Sequence, residues 1–351
     1  MTNWNRLLPG AVRRSAVLLL GAALALSTDA GSAQVCPLAR VDAASLPKLL
    51  ARADVTRRLQ PDAVAYTAKV DRDDDGAPNA YHRGLKDAGP DPGYDHVCVA
   101  GSVLEFADGR LRDRYGEGGS VGQLSGIDPK TGTGRSQRCK RDYIALRDAG
   151  FPACGPGHLC MIWYGIAAEP RACGHPSPFG AANDMRCGAP IRQVDAQGQP
   201  TDHYLTITSL RRPQSPGNSR TQSDYVDAAL VPYVVLPGGV KLPVPMPWTV
   251  GDLAVIVWKG RTVYAVIGDT GPADKLGEAS RAALKALRGG GIDAIPAGDP
   301  ATTLVFPGSA GRLRGLWPLT VAAIDAAGRK LVEEAGGAAA LAACPGLTGL
   351  R

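Results

Sequence analysis

The sequence predicts a mainly β protein with few helices, carrying a disulfide-tied, loop-rich insertion. Three observations predict it. Glycine and proline are abundant, 44 and 28 of 351 residues, while aromatic residues make up only 5%. The apolar runs are short and bounded by Gly, Pro, Asn or Asp, as strands are. Five of the eight cysteines crowd into Arg110–Gln199, a stretch with no regular apolar period.

The elements follow in order. Arg6, Arg13 and Arg14 precede an apolar run, Ala16–Leu26, and Gly31, Ser32 and Ala33 are the small residues of a cleavage site. This is the pattern of an export signal ending at residue 33, and the run is too short to span a membrane. The rest, 34–351, has the length of one catalytic domain with its insertion at about 110–200. Val41–Arg58 reads as a helix that ends before Pro61. Val64–Val70 reads as a strand running into the acidic turn Asp71–Gly76. Within the insertion, Arg141–Ala149 is helix-like and Leu159–Ile166 strand-like.

The second half is denser. Tyr204–Leu210 alternates Leu205 and Ile207 with Thr206 and Thr208, a strand period. Arg211–Ser223 is a polar loop, and Tyr233–Leu236 is a short strand closed by Pro237-Gly238-Gly239. Leu253–Trp258 and Val263–Ile267 are apolar throughout, which suits strands covered on both faces. Lys259-Gly260-Arg261 between them signals a hairpin. Ala279–Leu287 reads as a helix ending at Gly289, Thr303–Phe306 as a last strand, and Thr320–Glu334 as a closing amphipathic helix.

The cysteines are Cys36, Cys98, Cys139, Cys154, Cys160, Cys173, Cys187 and Cys344. An even number in an exported chain suggests disulfides. Their connectivity stays open, and a bridge from Cys36 to Cys344 would tie the two ends. His158 and His175 lie among four of these cysteines, but the spacings fit no zinc pattern, so no metal or cofactor is expected. Asp71–Gly76 begins like a calcium loop, but the twelfth position is His82 where a bidentate Glu is needed. The formal charge is +6, and loss of the export signal lowers it by two, to +4. That is too mild to imply nucleic acid.

Chemistry concentrates in Thr262–Glu278, where a strand ends in Asp269 and Glu278 follows a Gly-Pro turn. Two carboxylates on rigid flanks are the usual equipment for general acid and base work. The same residues would equally serve structure, Asp269 bonding the turn backbone and Glu278 meeting a helix dipole. The block Asp71–Asp108 is strongly acidic and would attract a cationic partner, or simply be solvated.

Five strings resemble, in order, the glycoside hydrolase family 75 chitosanases and their bacterial relatives. They are Asp71–His82 (DRDDDGAPNAYH), Asp224–Gly238 (DYVDAALVPYVVLPG), Gly251–Ile256 (GDLAVI), Val266–Ser280 (VIGDTGPADKLGEAS) and Leu304–Gly311 (LVFPGSAG). The resemblance implies a secreted endo-acting enzyme that cuts chitosan, the β-1,4 polymer of glucosamine, with inversion. It implies Asp269 and Glu278 as the catalytic pair, with Glu278 as acid and Asp269 as base. For a polycationic substrate it makes Asp73, Asp75 and Asp252 candidate subsite carboxylates, with Tyr81 and Tyr225 as stacking surfaces. A strand, Asp-Thr-Gly-Pro and then an acidic helix start is also similar to the core of double-psi β-barrels, including expansin-like proteins. That implies a six-stranded double-psi-like barrel core. A monomer without nucleic-acid or membrane partners is expected. Two alternatives stand beside the chitosanase reading: a hydrolase of peptidoglycan or another amino-sugar polymer, and a non-catalytic expansin-like wall-binding module. No G-x-S-x-G elbow with a fitting His is apparent, which argues against a serine hydrolase.

Overall fold

The computed structural model describes residues 35–40, 56–59, 62–85, 97, 100–114, 135–169, 186–217, 219–237, 248–271 and 276–351. The expected export signal and residues 41–55 of the expected first helix lie outside these. Residues Gln34–Arg351 form one compact unit.

Four early strands, β1 (Ala39–Arg40), β2 (Thr56–Leu59), β3 (Asp62–Ala68) and β4 (Asp71–Asp73), enter the main sheet. The next four, β5 (Gly101–Ala107), β6 (Arg110–Asp113), β7 (Cys160–Trp163) and β8 (Arg186–Cys187), form a separate antiparallel sheet in the order β6-β5-β7-β8. A two-stranded ribbon joins β9 (Arg192–Val194) to β10 (Pro200–Tyr204). Then β11 (Tyr233–Pro237), β12 (Leu253–Trp258), β13 (Arg261–Gly271), β14 (Glu278–Ser280) and β15 (Ala301–Phe306) complete the main sheet. Its nine strands lie in the order β1-β2-β3-β15-β12-β13-β11-β14-β4. Pairing is antiparallel except at β11–β13 and β14–β4, which are parallel. Helices α1 (Arg135–Asp148), α2 (Arg281–Arg288), α3 (Val321–Glu334) and α4 (Gly337–Ala342) are few, and the protein is mainly β, as its sequence predicts.

The all-apolar runs become the centre of the sheet. Val255, Val266, Leu304 and Val235 pack on one face with Ile324 and Leu331 of α3. Ala254, Ile256, Ala265 and Ile267 pack on the other with Ala283, Leu284 and Leu287 of α2. Covered on both sides, β12 and β13 carry no polar alternation. Their hairpin turns on Lys259 and Gly260, both at positive φ (48° and 73°), the geometry that matches strand twist.

Several expectations are corrected. Thr56–Arg58, expected at the end of a helix, is strand, because β3 offers it a partner on the sheet. The expected strand Tyr204–Leu210 ends at Tyr204. Beyond it the backbone bonds singly to varied partners, Leu205 N–H to the Ile191 carbonyl and Thr206 N–H to the Gln222 side chain. The helix expected from Ala279 begins at Arg281, since β11 and β4 claim Glu278–Ser280 as a strand between them. Ser280 then caps α2, its hydroxyl accepting from Ala283 N–H. The insertion is more regular than its sequence suggests, holding α1 and most of the four-stranded sheet.

The bridge between Cys36 and Cys344 is present, closing a separation of 308 residues. A second joins Cys154 to Cys160, and Cys139 and Cys187 are also disulfide-bonded. Such links stabilise chiefly by restricting the unfolded chain, roughly 2–4 kcal/mol each. Among the described residues no helix is long and apolar enough to cross a membrane.

Candidate active site

The parallel pair β14–β4 sets Glu278 opposite Asp71 and Ser280 opposite Asp73. On its other edge β14 sets Glu278 opposite Val235 of β11, and Val235 in turn lies opposite Asp269 of β13. One cross-strand row therefore reads Asp269, Val235, Glu278, Asp71. Directly opposed residues share a face, so the three carboxylates and Val235 look the same way.

Asp269 reaches that face because of a bulge. Between the pairs Val234–Ile267 and Val235–Asp269, β13 carries one extra residue, Gly268. Strict alternation from Val263, Ala265 and Ile267 would turn Asp269 toward α2. The bulge resets the period and turns it to the opposite face. Gly268 is required there by space. A Cβ on it would lie 2.5 Å from Cγ of Tyr233, a ring with no exposure.

The run Asp73-Asp74-Asp75 supplies the rest. Asp73 and Asp75 face the row, and one oxygen each of Asp73, Asp75 and Asp269 lies within 4.8 Å of the others. These are the described residues whose oxygens could surround a hard cation. Asp73 Oδ1 accepts from Asp75 N–H at 2.9 Å, and the Tyr81 hydroxyl donates to Asp75 Oδ1 at 2.6 Å. The Tyr233 hydroxyl donates to the Asp75 carbonyl at 2.7 Å. Gly165, from the insertion, presses on Asp75, and a Cβ there would sit 2.3 Å from Oδ1 and 2.5 Å from Oδ2. The Cys-rich stretch therefore contributes directly to the surroundings of Asp75. Gly76 N–H donates to Thr206 Oγ1 and the Gln222 amide donates to the Gly76 carbonyl, which strap the turn down.

Asp269 is held by three donors on one oxygen. Ser209 N–H, Ser209 Oγ and Thr270 N–H bond Oδ1 at 2.9, 2.5 and 2.7 Å. Burial is the main cause that raises its pKa, from 3.8 to about 6, against those hydrogen bonds. Asp73 is pushed well above the usual carboxylate range by burial and then by Asp75, Asp269 and Glu278. Asp75 is raised likewise by burial and Asp269, with the Tyr81 bond opposing. Crowded like charges share protons, so the cluster titrates as a group. Tyr81 keeps its proton far above its ordinary pKa, for burial and the neighbouring Asp75 both disfavour a phenolate. It is a donor, not a base.

Of the residues singled out from sequence, Asp73, Asp75, Tyr81, Asp269 and Glu278 come together. Tyr225 and Asp252 do not. Tyr225 is buried and gives its hydroxyl to the Ser219 carbonyl. Asp252 has no exposure and bonds Thr249 N–H and Ala310 N–H, fastening the turn before β12. Sequence reasoning missed Ser209, Gly165, Thr206, Tyr233 and Gln222. Glu278 lies on β14 before the α2 cap, not in the first turn of a helix, so the helix dipole is not its main neighbour.

A groove of about 310 Å³ opens beside Leu210, Val250, Leu313, Leu316 and Trp317. It is lined by no carboxylate and lies apart from the residues of the cluster. No protein-family model matches this chain, and a search of curated proteins returns no match either.

Proposed function

We propose that the protein is an exported, monomeric hydrolase of the chitosanase type, cutting β-1,4 bonds of chitosan or a related amino-sugar polymer with inversion. The observation that carries it is the row Asp269–Val235–Glu278. Two inter-strand steps separate the carboxylate-bearing backbones by about 10 Å. The Glu278 carboxylate leans back over Val235, its Oε2 3.0 Å from where a Cβ on Gly271 would stand. Gly271 is two residues, about 7 Å, beyond Asp269. Carboxyl groups on that order of separation admit a water between base and anomeric carbon, as inversion requires.

On this reading Glu278 gives its proton to the glycosidic oxygen as the C–O bond breaks. Asp269 takes a proton from the water that attacks the opposite face of the sugar. Asp269 must be ionised to do so, and turnover falls below about pH 6. Asp73 and Asp75 meet a sugar ammonium, and the Asp75–Tyr81 bond keeps that carboxylate aimed. The two parallel pairings at the β13-β11-β14-β4 end of an otherwise antiparallel sheet support reading that end as part of a double-psi-like barrel core.

The test is reducing-end release from highly deacetylated chitosan by the protein and by Glu278→Gln. Release by the first and none by the second supports the reading; release by both overturns it. Release should fall as salt rises from 0.05 to about 0.5 M, because screening weakens attraction between polycation and carboxylates. A flat response would count against acidic subsites. Gly165→Ala should cost about 100-fold in turnover by displacing Asp75, with circular dichroism unchanged. Near-normal turnover would show that Asp75 is dispensable.

A further inference from the structure

Asp74, between the two cluster aspartates, faces the other way. It has no exposure, and its Oδ1 accepts from Arg281 Nε at 2.9 Å while its Oδ2 pairs with Arg72 Nε at 3.2 Å. Arg281 is only 1% exposed and reaches on from Nη1 to Asn79 Oδ1 at 3.3 Å. It is the first residue of α2, the helix that Ser280 ties to β11 by accepting from Tyr233 N–H.

Stability alone is a poor reason for this arrangement. A buried ion pair is often matched or bettered by apolar residues of the same volume. A cation at a helix N-terminus also opposes the dipole. What the pair supplies is direction. A planar guanidinium and a carboxylate fix each other's orientation as an apolar contact cannot. Holding Asp74 behind the strand forces Asp73 and Asp75, its chain neighbours, to the front. It also joins the turn to the same short segment, Glu278–Arg281, that carries Glu278.

We propose that Arg281 is a positioning residue for the carboxylate cluster, acting through Asp74 to fix Asp73 and Asp75 against Asp269 and Glu278. The proposal rests on the hydrolase reading for its kinetic consequence, not for its structural one. The experiment compares Arg281→Lys, Arg281→Met and the neutral double variant Asp74→Asn/Arg281→Met in the full chain. Two readouts are taken: kcat and KM on deacetylated chitosan, and amide hydrogen exchange at Asp75 and Gly76.

Arg281→Met should lower kcat about 100-fold with KM little changed, and Arg281→Lys should restore part of the loss. Exchange at Asp75 and Gly76 should quicken while β12 and β13 stay protected. The double variant should regain thermal stability but not kcat. Recovery of kcat together with stability in the double variant would reduce Arg281 to a structural role and overturn the proposal. So would unchanged exchange at Asp75 and Gly76 in folded Arg281→Met. If the unaltered protein releases no reducing ends, the hydrolase reading fails by itself and the exchange readout still decides whether Arg281 fixes the turn.

Discussion

Asp269→Asn should lower polymer hydrolysis about 1000-fold and, above pH 6, make the folded protein more stable. The two effects have one cause. The side chain sits among carboxylates in a site that disfavours charge, and its pKa rises from 3.8 to about 6. A carboxyl raised on folding favours the folded state while protonated. That contribution is complete below about pH 4 and is lost as pH rises through 6. At pH 8 the wild-type protein bears the full cost of an ionised Asp269, on the order of 3 kcal/mol for two pKa units. Asparagine escapes it. It also keeps an oxygen at Oδ1, where the bonds from Ser209 and Thr270 converge, so the site is not disordered. Urea unfolding at pH 4.5 and pH 8 measures the difference. The variant should gain at pH 8 and gain little at pH 4.5. Equal stabilities at pH 8, or turnover near wild type, would contradict the assignment of Asp269 as a strained base.

The second large effect is expected at Gly268. Alanine there would put a methyl group 2.5 Å from Cγ and 2.6 Å from Cβ of Tyr233. The ring is wholly buried, and its hydroxyl is tied to the Asp75 carbonyl, so it has little room to yield. Overpacking of this kind costs about 1–3 kcal/mol, and turnover should fall as well because Tyr233 carries Asp75 with it. Urea unfolding should show a lower midpoint with unchanged slope. A midpoint equal to wild type would mean that the bulge relaxes freely. Then the geometry of Asp269 would depend less on Tyr233 than its contacts indicate.

What could be read from sequence was what is written locally. The hairpin at Lys259-Gly260 and the strands beside it followed from apolar runs and one turn. Asp269 and Glu278 stood out because a strand end and a turn bracket them, and Asp73 and Asp75 because charge accumulates there. The bridge from Cys36 to Cys344 was a guess from position that the structure bears out. What failed was set at a distance. Ser209 is 60 residues from Asp269, and Tyr233 is 158 from Asp75. Nothing near Gly165 announces that its missing side chain makes room for a carboxylate. Glu278–Ser280 looked like the start of a helix because its sequence suits one. Two neighbouring strands with open edges outweighed that preference. Arg281 escaped notice for the same reason, since an arginine at the start of a helix usually means solvent.

The bulge at Gly268 bears on how relatives of this chain should be recognised. A β-strand stores one binary choice per residue, front or back, and an extra residue inverts every choice after it. Two chains could both read Val-Ile-Gly-Asp-Thr-Gly and differ only in whether the glycine bulges. In one, Asp269's counterpart would join Glu278's; in the other it would be buried against a helix, and the protein would fold without a working pair. A chain without the glycine would keep its aspartate on the working face, because alternation after the isoleucine already points there. Whether the strand can bulge before the aspartate is therefore a better test for a shared site than the number of identical residues around it.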